Sequence, residues 1–189
     1  MAANIRIVLP SLNSWAEGHL TALFKETDQT AFGQAFDAFV AANPDALVVN
    51  GQSLTRAQFK TQLWQDKFLE AGAQVKFLGA VSSTSNTEQP VTAGEVGVFF
   101  QATIDERILV MGAPQTRTIT FSMNLVVIQD PTLTPPPVGP IHGFFDGRRV
   151  ASLTAVSTTD PRSTLLPLPA PAPVNPGGPI QPPTVGSST

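Results

Sequence analysis

No cysteine and no tyrosine occur among the 189 residues. The first absence removes disulfides, thiolate nucleophiles and cysteine-ligated zinc, and leaves the redox compartment open. The second removes any phenol that could hold a developing oxyanion. Charge is also scarce: 13% of residues are charged, against about a quarter in an ordinary globular chain. With 11 basic and 14 acidic residues and a net charge of −3, there is no basic field to hold a phosphate backbone, so nucleic acid is not an expected partner.

Long apolar runs are missing too. The stretch MAANIRIVLPSLNSW carries Arg6 inside its apolar run and Pro10 close behind it. A signal peptide needs about 7 to 15 uninterrupted apolar residues, and a membrane span roughly 18 to 20. The expectation is a cytoplasmic protein that does not enter a membrane. No HxH or HExxH spacing, GxSxG elbow or glycine-rich phosphate loop appears, so neither metal nor cofactor is expected.

What the chain does have is a sharp change of composition near its C-terminus. No ionisable side chain comes after Arg162, and Pro173, Pro176, Pro179 and Pro182 recur every third residue. The pattern predicts a folded domain over 1–160 and a proline-rich, largely polyproline-II tail over 161–189. The proline period would suit an aromatic groove, but no cation flanks it, which favours a spacer. A second proline cluster, DPTLTPPPVGPIHG at 130–143, reads as a long connection between strands.

Helical patterns come first in the chain. Ser14 precedes one with Trp15, His19, Leu20, Leu23 and Phe24 along one face. Thr27 or Asp28 can cap a second, which should end at Asn43 because Pro44 disfavours helix in the residue before it. Residues 48–59, VVNGQSLTRAQF, contain an Asn-Gly pair that often marks a hairpin. The residues after Gly51 do not alternate, however, and Thr55 with Gln58 forms a capping box. The reading is a short extended piece, a turn at Asn50-Gly51, and a helix of about 14 residues ending at Gly72. Everything beyond alternates as strand: Val75, Phe77, Gly79 and Val81; Val96 to Ile104; Ile119 to Val127; and a last strand from DGRRVASLTAVS. The fold class is α+β, with three N-terminal helices packed on a strongly curved antiparallel sheet of about four long strands plus a short one.

That order, carried most closely by FDAFVAANPDALVVNGQSLTRAQFKTQLW at 36–64, resembles the NTF2-like superfamily and its SnoaL-like members. The resemblance implies a cone closed by helices and lined by the concave sheet face. It implies no single function, because this scaffold hosts isomerases, dehydratases, cyclases and non-catalytic proteins alike. Within such a cone Trp15, Phe36 and Phe39 would form the helical wall, with Phe100, Phe121 and Met123 on the sheet. Together they could bind a small flat apolar ligand or simply fill a core. His19 is the one candidate base, and His142 falls in the proline-rich connection as a solvent-facing residue. Two readings remain. One is a non-catalytic domain that binds a small apolar ligand or dimerises through the sheet face of Thr118, Thr120, Ser122 and Asn124 with Phe99 and Val126. The other is a SnoaL-like isomerase, dehydratase or cyclase using His19 on an apolar cyclic substrate. The residues alone leave open whether the protein is an enzyme.

Overall fold

Ser11 begins the first helix. In the computed structural model, which describes residues 9–67, 70–85, 87–110, 113–134 and 145–160, its hydroxyl accepts from the Ser14 amide at 3.2 Å and caps α1 (Leu12–Lys25). The helix thus starts three residues before Trp15, where the apolar period alone would begin it. His142 and the segment 161–189 lie outside the described residues, as does most of the 130–143 connection.

Asp28 caps α2 (Gln29–Phe39), accepting from the amides of Thr30 and Ala31, both at 2.9 Å. This helix ends well before the Asn43 that Pro44 suggests. Val40 is already extended and bridges Val150, and the Ala41 amide donates to Val150 O at 3.0 Å. Pairing with a distant strand therefore overrides the local stop signal. Arg56 then takes up the freed carbonyls, donating to Ala41 O at 2.8 Å and Val40 O at 3.3 Å.

Asn50 (φ 50°) and Gly51 (φ 79°) do close a hairpin between β1 (Ala46–Val49) and β2 (Gln52–Ser53), although its second arm is only two residues long. Both turn residues have the left-handed backbone that such a two-residue loop demands. The Asn50 side chain continues the pairing, accepting from the Ser157 amide at 2.8 Å and donating to its hydroxyl at 3.2 Å. Thr55 then caps α3 (Arg56–Gln65) in a complete capping box with Gln58. This helix runs 10 residues, not 14, and Gly72 lies inside the next strand instead of ending the helix. The chain leaves α3 at Asp66, whose carbonyl is taken by Arg117. At the next residue, buried Lys67 donates to Leu23 O and Glu26 O, each at 2.6 Å, and so satisfies the C-terminus of α1.

Four long strands complete the fold: β3 (Glu70–Thr84), β4 (Gly94–Val110), β5 (Ala113–Gln129) and β6 (Arg148–Thr159). The sheet order is β2-β1-β6-β5-β4-β3, antiparallel throughout except for the parallel β1–β6 pair. Three helices packed on a mostly antiparallel sheet is the α+β arrangement expected of the chain. One strand departs from its simple alternation. A bulge between Phe77 and Gly79 shifts the register of β3, so Ala80 packs on the core while Val81 turns outward, 72% exposed.

Candidate functional site

The sheet has two faces of unlike chemistry. Inward, Val96, Val98, Phe100, Ala102 and Ile104 of β4 meet Ile119, Phe121, Met123, Leu125 and Val127 of β5, and all are buried. Phe24 of α1 stands against Phe100 and Phe121 at ring separations of 5.7 and 5.3 Å, and those two rings stack at 5.0 Å. Trp15 and Phe39 pack together at 5.7 Å, while Phe36 sits with Phe32 and Phe59 in a separate group at 6.3 and 5.9 Å. The six residues proposed to hold a ligand are therefore all buried, and their rings fall into three packed groups.

His19 lies at the edge of one of these groups. Its ring is 4.6 Å from that of Trp15 and stacks on Phe39 at 5.8 Å, and it makes no hydrogen bond to a described residue. Burial lowers its pKa below the ordinary imidazole value. The Asp146 carboxylate opposes that shift, while the Arg149 and Arg148 cations reinforce it. The lowered value favours the uncharged imidazole, the form a general base requires.

The charged groups facing His19 come from the start of β6. Arg148 is fully buried and holds Asp146 in a fork, Nε to Oδ1 at 2.9 Å and Nη2 to Oδ2 at 2.7 Å. Its Nη1 reaches Pro10 O at 2.8 Å and Val91 O at 2.9 Å, and its guanidinium lies 5.4 Å over the Trp15 ring. The carboxyl of Asp146 is desolvated, yet the bonds from Arg148 outweigh this and hold its pKa below the usual carboxylate range. Arg149 turns the other way and donates to Asp37 O at 3.0 Å. The indole Nε1 of Trp15 is buried without an acceptor among the described residues. Sequence reasoning passed over this cluster. The available signal was an arginine sharing the inward parity of Val150, two residues after an aspartate.

Outward, the same strands carry rows of mostly uncharged side chains, with Lys76 opposite Gln101 and Glu95 opposite Val126 as charged members. Register aligns Val81, Gly97, Asn124 and Thr154 in one row and Phe99, Ser122 and Val156 in the next, with Gln101, Thr120 and Thr158 in a third. Val81, Phe99, Val126 and Val156 are 72, 46, 38 and 62% exposed. A groove of about 490 Å³ runs along the Gly97 row. Phe99 and Val126 were legible in the sequence as part of this face. Val81 was hidden by the bulge in β3.

Among the described residues no group of three His, Asp or Glu could hold a metal ion, and no helix is long and apolar enough to cross a membrane. No family model matches the chain, and no curated protein does. Among solved structures it is similar to AclR of Streptomyces galilaeus, a hydroxylase candidate, at 9% identity over 80% of this chain and 92% of that one, with a TM-score of 0.46. It is similar to a polyketide cyclase candidate from Acidithiobacillus ferrooxidans at 17% identity over 82% and 94%, with a TM-score of 0.43. It is also similar to a SnoaL-like polyketide cyclase from Agrobacterium tumefaciens at 16% identity over 82% and 95%, with a TM-score of 0.41.

Proposed function

We propose that this chain is a non-catalytic domain that works as a homodimer, two copies meeting through the outer faces of β3 to β6. The observation that carries this reading is the chemistry of that face. Ser122, Thr120, Thr154, Asn124 and Gln101 can each both donate and accept hydrogen bonds, so these side chains complement a second copy of themselves, and Lys76 and Glu95 add one charge of each sign to the face. The exposed Phe99, Val126 and Val156 supply apolar area among them. Four strands about 4.8 Å apart, over on the order of 30 Å of strand, project roughly 600 Å² before side-chain relief, near the ~800 Å² per partner of a standard interface. The inner face, by contrast, offers its aromatic side chains already packed against one another.

A second reading has its own support. A His19 biased toward its uncharged form, with no hydrogen bond to a described residue and beside a Trp15 indole that has no acceptor among the described residues, is the arrangement on which an isomerase, dehydratase or cyclase acting on an apolar cyclic substrate would be built. Native mass spectrometry of the purified chain separates the two readings. A species of twice the 20.0 kDa chain mass with nothing retained supports the homodimer. A monomer carrying a small molecule, whose turnover His19→Ala abolishes at unchanged thermal stability, would overturn it in favour of the enzyme.

A further inference from the structure

We infer that the two copies interdigitate, the Phe99 side chain of each entering the notch that Gly97 opens in the other. This rests on the homodimer reading above. Gly97 is flanked across the outer face by Val81 on β3 and Asn124 on β5, with Thr154 beyond on β6. Its missing side chain is the gap in that row, and the groove of about 490 Å³ lies there. One row along the strands, Phe99 and Val156 stand proud on either side of Ser122. Knob and notch therefore lie side by side on one face. That is what a self-complementary two-fold contact needs, because each copy gives a knob and receives one, and the exchange closes at two.

The backbone conformation does not ask for glycine at 97. Its φ is not in the left-handed region, and a Cβ there would press on two outward side chains that must give by a few tenths of an ångström, Val81 Cγ2 at 3.2 Å and Asn124 Oδ1 at 3.3 Å. Gly94, three residues earlier, is a useful contrast: its φ is 157° and an added Cβ would lie 2.2 Å from the Ser83 carbonyl oxygen. One glycine of β4 is dictated by the backbone, whereas the other answers only to the side chains of its outward row.

The test is a cycle of dimer dissociation constants for the wild type, Gly97→Leu, Phe99→Ala and the double variant, with circular dichroism confirming that each is folded. Filling the notch should weaken the dimer on the order of 100-fold and removing the knob about 10-fold. The double variant should lie well short of the product, because a truncated knob no longer strikes a filled notch. Where Gly97→Leu fails to fold, Gly97→Ala adds a single methyl, and a loss of about fivefold is expected. A fully multiplicative double variant overturns the interdigitation. So does a dimer that ignores Gly97→Leu yet is lost on Ser122→Lys; that result would leave the homodimer standing. A wild type that stays monomeric at all concentrations removes the homodimer itself.

Discussion

The inner and outer faces of one sheet are built from alternate residues of the same strands, and they do different work. On β4 Phe100 points inward with no exposed surface, while Phe99, its neighbour in the chain, points outward with 46% exposed. The inner ring touches Phe24, Phe77 and Phe121. The outer one stands next to Ser122 and the notch at Gly97. Two phenylalanines of equal intrinsic hydrophobicity thus separate what the sheet needs for stability from what it presents to other molecules. The difference teaches that apolar surface is left exposed on the outer face, which is where the homodimer reading looks for function.

The sharpest way to break that comparison is at the two phenylalanines. Phe100→Ala should cost about 3–5 kcal/mol in urea unfolding, from lost transfer energy and the cavity left behind. Phe99→Ala should leave the stability of the folded monomer within about 0.5 kcal/mol. Equal losses at both sites would show that the faces are not distinct. Next in size, Ser122→Lys places like charges against each other at the centre of the proposed contact, a clash of about 2–3 kcal/mol in association. Light scattering should then report a monomer whose thermal unfolding matches that of the dissociated wild type.

Asn50→Ala tests the rim where the short hairpin joins β6. It removes both hydrogen bonds to Ser157 and places a Cβ residue without a polar side chain at φ 50°. A stability loss of about 1–2 kcal/mol is expected by chemical denaturation. The smallest effect belongs to His19. Its folded pKa lies below its unfolded one, chiefly through burial, so the unfolded chain binds the proton more readily. The stability it contributes is present above the ordinary imidazole value and is lost as pH falls through the folded value. His19→Gln should therefore flatten part of the decline in stability between about pH 7 and pH 5. A steeper decline in the variant would contradict the assignment.

How much of this was legible depended on whether a signal was local. The Thr55–Gln58 capping box was readable because both partners lie within four residues. The inner faces of β4 and β5 were readable because period two runs unbroken along them. What failed to show was set by distant partners. The helix α2 ends early because Val40 bridges Val150. The residues around Gly72 became strand because β4 pairs with them. Val81 faces out because a bulge reverses the parity of β3, and no count along the sequence reveals a bulge. Of the candidate site, the position of His19 beside Trp15 was readable from its helical stripe. The buried Arg148–Asp146 fork was not found, since an arginine at an inward position reads as an exposed residue until its carboxylate partner is seen.

Sedimentation equilibrium of the wild-type chain tests the central claim most directly. If the outer face is a surface for a second copy, the fitted mass at micromolar concentration will be twice 20.0 kDa and will fall toward the single-chain value on dilution. A mass of 20.0 kDa that does not rise with concentration would contradict it.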